Sequence, residues 1–295
     1  MTGWLAVVNA TAGGRTRSSR RIASVVDQIR PLMRTTVFSA GPGDARRLAR
    51  AADSYSGIVA IGGDGTLLEI LNGIDGRRQQ VAIMPAGRGN SLARDLALRD
   101  FASAVEALRR RDSVAIDLAE VILRDARGVE SRIISASTIA LGYVVAVTTI
   151  ANRMRGLGRY CYAVAAVIAT RRLIRATLEI AYDDGARSRH DLTGLIVNNT
   201  RHVANFVPFP EADCTDGYLD VMELRAGCVG QNAHNLFAMR GLTYPAAPIR
   251  RVRRLAIVLA QPQSVMIDGE IYQDIAELSV RVMPRALECL CRAAA

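Results

Sequence analysis

The stretch "GIVAIGGDGTLLEILNGI", Gly57–Ile74, decides how the first half of the chain is read. An apolar run enters a glycine-rich turn, and a helix-like pattern follows it. Gly62 and Gly63 let the backbone bend sharply after a strand and let an anion come close. Thr66 and Glu69 have the T-x-x-E spacing of a capping box, which predicts a helix starting at Thr66. Such a helix start offers free amides and a positive dipole end to a phosphate. Asp64 sits just before it. A phosphate alone would favour bare amides or positive charge, so an acid here suggests a divalent cation or an acceptor hydroxyl in the same site. A plain Asp-Gly link from strand to helix is the other reading, and both stay open on this stretch alone.

Working outward, the first ~118 residues alternate short β-branched runs with amphipathic segments, which predicts a parallel sheet with crossover helices. Ligands of such sheets sit outside the carboxyl ends of the strands. A second glycine loop, "AIMPAGRGNSLARDL", also follows a strand, with Gly87 and Gly89 ahead of Asn90 and Ser91. Two glycine loops at neighbouring strand ends make a two-sided phosphate cradle, a stronger signal than either alone. Arg88, between the glycines, is a candidate bidentate phosphate contact or a solvated loop arginine.

From about Val114 the rhythm changes to strand-like runs such as "RIISASTIALGY", "LTGLIVNN", "RRLAIVLA" and "SVMIDGEIY", the pattern of an antiparallel sandwich or barrel. One helical interruption is expected over roughly 146–172, with arginines around an apolar middle, and a second near "VGQNAHNLFAM". "IDGE" reads first as an Asp-Gly hairpin turn. Its chemical reading makes Asp268 a base for an attacking hydroxyl, with Glu270 beside a metal. In "PEADCTDGYLDV", Asp213, Asp216 and Asp220 are spaced to place oxygens around a cation, or the segment is an acidic turn before a strand.

The charge is +10 with a pI near 10.0, and every basic residue is Arg. A Walker-type phosphate loop needs a lysine that this chain cannot supply. Phosphate neutralisation must therefore come from Arg, backbone amides or a metal. The basic excess suits an anionic surface. Aromatics at 5% leave no stacking platform for single-stranded nucleic acid, so a membrane is favoured and nucleic acid is not expected. No apolar run approaches a membrane span. The five cysteines and three histidines lack zinc or disulfide spacing, which predicts a reduced, cytoplasmic protein. No basic region precedes the first apolar run, so no signal peptide is expected.

Together these pieces resemble the diacylglycerol-kinase catalytic-domain superfamily of lipid kinases, which includes sphingosine and ceramide kinases. "NATAGG", "GGDGTLLEILNG", "PAGRGNSLAR", "NNTRHVANFVPFPEADCTDGYLDV" and "IDGE" occur in the family's order across nearly the whole chain. The resemblance implies an α/β plus all-β protein: a Rossmann-like nucleotide domain, residues 1–118 with about 283–295, a β-sandwich lipid-binding domain, 119–282, and an active-site cleft between them. Carried over, Asn9, Ser39, Gly62, Gly63, Asp64, Gly65, Thr66, Gly87, Arg88, Gly89 and Asn90 bind ATP, with Asp64 near a catalytic Mg²⁺. Asp268 is the general base and Glu270 its acidic neighbour; Asp216 with the carbonyls of Asp213 and Tyr218 holds a structural cation. Arg88 stands where the family commonly has Thr or Ser, and Ser91 where many bacterial diacylglycerol kinases have Asp; "GNSLA" is closer to sphingosine kinases.

The expected reaction is γ-phosphoryl transfer from ATP to the primary hydroxyl of a membrane lipid, at the inner face of the membrane. A NAD kinase-like enzyme shares a glycine-glycine-aspartate loop and a β-rich second domain, and is the nearest rival. A lipid-binding regulatory relative with weak catalysis is the other. A homodimer stays open.

Overall fold

The computed structural model describes residues 3–12, 17–87, 89–154, 161–171, 175–203, 207–225 and 248–292. The chain divides into two compact units: residues 1–118 with 214–217 and 283–295, and residues 119–213 with 218–282.

The first unit is α/β. Its strands are β1 (Trp4–Val8), β2 (Met33–Phe38), β3 (Gly57–Gly62) and β4 (Gln80–Pro85), and its helices α1 (Arg17–Ile29), α2 (Asp44–Arg50), α3 (Asp64–Leu71), α4 (Ser91–Asp95) and α5 (Phe101–Arg110). The strands are parallel in the order β2-β1-β3-β4. β1 and β3 are buried along their whole length, as near-continuous apolar strands covered on both faces must be. The path from β1 to β2 and the path from β3 to β4 run in opposite directions across the sheet. With right-handed crossovers this puts α1 and α3 on opposite faces. Accordingly α1 packs with α5, and α2 with α3. The strand order therefore reverses between β1 and β3, where open α/β sheets form their ligand crevice.

The second unit is a β-sandwich. The crossing strand β5 (Ser113–Asp125) pairs with β6 (Glu130–Ser135). β7 (Thr138–Gly142) leads into α6 (Tyr143–Arg153) and α7 (Cys161–Thr170). Two described helices thus stand where one interruption from about Ala146 is expected, and the first begins three residues earlier, at Tyr143, directly behind Gly142 (φ +65°). β8 (Ala176–Tyr182), β9 (Ser188–Leu192), β10 (Gly194–Asn198), the short pair β11 (His202–Val203) and β12 (Val207–Pro208), β13 (Leu219–Leu224), β14 (Ile249–Val252), β15 (Arg254–Ile267) and β16 (Glu270–Leu290) complete it. One antiparallel run is β14-β13-β10-β7. β15 serves two partners, pairing β8 over Leu255–Leu259 and β7 over Val265–Ile267. Its register with β16 slips between Val258 and Val265, and such bulges let one strand bend between layers. β16 then runs on into the first unit, where Cys289 pairs with Val81. The helix expected near "VGQNAHNLFAM" lies outside the described residues.

Candidate functional site

At the strand-order reversal, the candidate residues of the first unit come together. Asn9 follows β1, Ser39 follows β2, Gly62–Thr66 follow β3 and Gly87–Asn90 follow β4, all at carboxyl ends. Backbone bonds hold these ends level: Asn9 N–H donates to Ile61 O (2.9 Å), Ser39 N–H to Val8 O (2.9 Å) and Ala86 N–H to Gly62 O (2.8 Å). Across the reversal, Asn9 Nδ2 donates to Thr66 Oγ1 at 3.0 Å, while Asn9 Oδ1 accepts from the amide and hydroxyl of Thr11.

The two glycine loops touch. A Cβ on Gly87 would stand 2.4 Å from Gly63 Cα, and one on Gly63 would stand 3.0 Å from Gly87 Cα. A Cβ on Gly62 would meet Thr66 Oγ1 at 2.4 Å. None of these three glycines has the positive φ that favours glycine, so close approach is what they are needed for. Asp64 ties the contact. Its Oδ2 accepts from Asn90 N–H (2.9 Å) and its Oδ1 from Ser91 N–H (3.0 Å). Asn90, in the left-handed region at φ 51°, braces the second loop by accepting from Gly87 N–H and donating to Gly87 O. Burial pushes the Asp64 carboxyl above its ordinary range, against the lowering effect of the two amides.

The helix begins at Asp64 with Gly63 as its cap, two residues earlier than the T-x-x-E spacing predicts. No capping box forms. Thr66 Oγ1 is taken by Asn9, and Glu69 reaches to another helix, where its two oxygens accept from Gly43 and Ala45 N–H at the start of α2. Arg88 lies outside the described residues; Gly89 lies between Gly87 and Asn90 in the second loop, and Gly65 in the first turn of α3.

In the second unit, Asp268 and Gly269 form the two-residue turn joining β15 and β16, with φ 46° and 93° and Ile267 paired to Glu270. This is the backbone that Asp-Gly hairpins favour. The hairpin reading and a buried acid coexist. Asp268 is 7% exposed, whereas Glu270 is exposed. Asp268 Oδ1 accepts from Ser135 Oγ (2.9 Å), Ser137 N–H (3.0 Å) and Thr138 N–H (2.8 Å), and Oδ2 accepts from Ala136 N–H (2.8 Å). Around that turn lies a buried polar cluster. Thr138 Oγ1 donates to Asn198 Oδ1 (2.6 Å), the Ser137 and Thr200 hydroxyls are hydrogen-bonded at 3.0 Å, and Asn199 Nδ2 donates to Ala136 O (3.1 Å). A polar cluster this deep in a sheet core is costly unless its groups are paired, and most of the pairs named here surround one carboxylate.

The sequence matches the diacylglycerol kinase catalytic domain over residues 3–121 and the YegS C-terminal NAD kinase beta sandwich-like domain over residues 137–291. The chain belongs to the diacylglycerol kinase catalytic-domain family. A diacylglycerol kinase of Mycobacterium tuberculosis is 29% identical over 227 residues, 75% of this chain and 69% of that protein. A Pseudomonas putida protein named "Probable lipid kinase YegS-like" is 29% identical over 251 residues, 83% of this chain and 81% of that one. A crystal structure of a Bacillus anthracis diacylglycerol kinase shares the fold at a TM-score of 0.76 and 19% identity, covering 99% and 97% of the two chains. Yeast NADH kinase, solved with NADH, shares it more distantly, at 0.56 and 12% identity over 99% and 84%.

For this family member, the turn carrying Asp213, Asp216 and Tyr218 is fastened by a residue that the sequence reading passed over. Asp117 is fully buried, and its carboxylate accepts from Gly217 N–H (2.6 Å) and Arg285 N–H (2.7 Å). Its own N–H donates to Cys214 O at 2.6 Å. The signal was present: an acid, Asp117, inside the apolar run "VAIDLAEVIL", which also holds Glu120. The Tyr218 ring lies beneath the guanidiniums of Arg251 and Arg253, 4.7 and 4.9 Å from its centroid. Among the described residues no group of three or more His, Cys, Asp or Glu side chains gathers to hold a metal. Asp64, the candidate Mg²⁺ residue, already gives each oxygen to a backbone amide.

Proposed function

We propose that the chain is an ATP-dependent lipid kinase, passing the γ-phosphoryl group of ATP to the primary hydroxyl of a membrane lipid such as diacylglycerol or a sphingoid base. The observation that carries this reading is the Gly63–Gly87 contact, bridged by Asp64, at the strand-order reversal of a diacylglycerol-kinase-family chain. The contact sets the two glycine loops side by side at the carboxyl ends of β3 and β4, where ligands of such sheets bind. Asn9, Ser39, Gly62, Gly63, Gly65, Thr66, Gly87, Gly89 and Asn90 are the residues assigned to the nucleotide, together with Arg88. Asp64 is assigned to hold the loops in register.

In the proposed step the lipid oxygen bonds to the γ-phosphorus, the bond from that phosphorus to the β–γ bridging oxygen breaks, and ADP leaves. The hydroxyl proton goes to Asp268, whose orientation is fixed by its four donors, with Glu270 as its acidic neighbour. A lipid hydroxyl is a poor nucleophile near neutral pH, so a positioned acceptor contributes about 10²–10⁴-fold. Mg²⁺ would arrive with the nucleotide.

The test is incubation of the full chain with labelled ATP and a total lipid extract, identifying the labelled product by mass. A labelled lipid is expected. Labelled dinucleotide with inert lipids would replace this reading with the dinucleotide-kinase one, for which the likeness to yeast NADH kinase supplies the fold alone.

A further inference from the structure

A second constellation lies in the second unit, outside every residue assigned above. β9 reads SRHDL. Ser188 and His190 are two apart, so they share one face of the strand with Leu192. The register with β8 sets Ser188 beside Ile180 and His190 beside Leu178. Leu178, Ile180 and Leu192 are buried, so this face looks into the sandwich, while Ser188 is exposed at its rim. Ser188 Oγ and His190 Nε2 are hydrogen-bonded at 2.7 Å, shorter than the 3.5 Å from the same hydroxyl to Ile180 O. On the far side of the ring, His190 Nδ1 stands 3.3 Å from Glu223 Oε1 on β13. A nucleophile, a base and an acid that orients the base thus follow one another.

The acid is itself held. Tyr182 Oη, at the end of β8, donates to Glu223 Oε1 at 2.8 Å, and Arg225 Nη2 lies 3.8 Å from Glu223 Oε2. Burial first, and then the Glu223 carboxylate, pushes the Tyr182 phenol well above its ordinary range, so it stays a donor. The Tyr182 and His190 rings meet edge to face with centroids 6.2 Å apart, and the Arg250 guanidinium of β14 covers the Tyr182 ring at 4.5 Å. The His190 and Glu223 side chains keep only 18% and 15% of their surface exposed. A chance contact between surface side chains would be solvated and free to turn, whereas this one is braced from β8, β13 and β14. Among the described residues β9 pairs only with β8. Alternate N–H groups along its outer edge are therefore left to donate, as a developing oxyanion requires.

We propose that Ser188, His190 and Glu223 form a hydrolytic site for a small carboxylic ester. Ser188 Oγ bonds to the ester carbonyl carbon as its proton passes to His190 Nε2, with the Nδ1 proton kept towards Glu223. The bond from that carbon to the alcohol oxygen breaks, the alcohol leaves with the proton from Nε2, and an acyl group remains on Ser188. Water then attacks the acyl carbon and gives a proton to Nε2. The bond to Ser188 Oγ breaks, the proton returns to the serine, and the carboxylic acid leaves. Ser188 and His190 are the catalytic residues; Glu223 and Tyr182 position the imidazole.

The experiment treats the full chain with 4-nitrophenyl acetate and, separately, with a fluorophosphonate probe. Neither nucleotide nor lipid is present, so the result is independent of the kinase reading. Hydrolysis above the buffer rate is expected, with one phosphonylated serine, Ser188, located by mass. Ser188→Ala and His190→Ala should each cut hydrolysis by about 10²-fold or more, with the thermal midpoint of the exposed serine variant unchanged. Free imidazole should return part of the rate to His190→Ala and none to Ser188→Ala. Glu223→Gln should also be slow, and Glu223→Asp should regain part of the rate, which a merely structural carboxylate would not do. Hydrolysis by wild type no faster than buffer, a label on another residue, or equal rates for wild type and Ser188→Ala overturns the proposal. Loss in His190→Ala that imidazole does not relieve removes His190 as the base and overturns it as well.

Discussion

Two Asp-Gly pairs, Asp64–Gly65 and Asp268–Gly269, look alike in sequence and are built for different physical reasons. At the first, the neighbouring glycines have ordinary φ, and a side chain is excluded because another backbone stands in its place, Gly63 against Gly87. At the second, nothing lies within 4 Å of where a Gly269 Cβ would be, and the glycine is needed for its φ of 93°. The acids divide the same way. Asp64 joins two loops of one sheet edge through two amides and is desolvated there. Asp268 closes a turn through three amides and a hydroxyl inside a polar cluster. At the first pair the acid holds two loops together, and at the second the turn holds the acid in place.

The largest expected effect separates those roles at the acids. Asp268→Asn keeps the shape but presents an amide group to donors that require an acceptor. Phosphoryl transfer should fall by about 10²–10⁴, and thermal stability should fall as well. Ser135→Ala removes one donor of the same set and serves as the control. It should lower stability by about 1 kcal/mol while leaving most of the turnover. Equal turnover by wild type and Asp268→Asn would end the assignment of Asp268 as proton acceptor and leave it a structural tie.

Next come the glycines. Gly87→Ala must push Gly63 away, because its methyl would stand 2.4 Å from a backbone carbon. Overpacking of this kind costs about 1–3 kcal/mol, and nucleotide affinity should drop with it. Gly269→Ala meets no atom and pays only for its left-handed backbone, about 1–2 kcal/mol, with nucleotide affinity unchanged. Paired stability and nucleotide-titration measurements check this. Loss of nucleotide affinity in both variants, or in neither, would collapse the distinction between the loops.

The sequence carried the turns better than it carried their partners. Both glycine loops and the Asp-Gly hairpin were readable because local backbone demands select local residues. The α/β half followed from its period, and the sandwich from alternating runs. Tertiary contacts were not readable. Thr66 and Glu69 satisfy a capping-box pattern, yet Asn9 and the start of α2 lie close enough to take both side chains. The Gly63–Gly87 contact joins residues from two crossovers, and no spacing rule relates them. Asp117 is the same case on a longer scale, fastening Gly217 and Arg285 from far along the chain. The donors around Asp268, from Ser135 to Thr138, were read only as part of a strand, because which loop a hairpin tip packs against is set by sheet order.

The smallest effect is a pH slope at Asp64. Burial raises its carboxyl pKa in the folded protein, so across the window between the ordinary carboxyl value and the raised one the native state holds more proton than the unfolded chain. Stability must therefore decline as pH rises through that window, and the loss persists above it. Asp64→Asn does not titrate there. It gives up one of the two amide bonds, since its nitrogen cannot accept, and should be the less stable protein at the acidic end. As pH rises the wild type alone bears the cost of a desolvated charge, so the gap between the two should narrow. Denaturant midpoints for both proteins across the acidic range check this. A gap that widens with pH would mean that the amides of Asn90 and Ser91 outweigh burial, and that Asp64 is held as an anion by its donors.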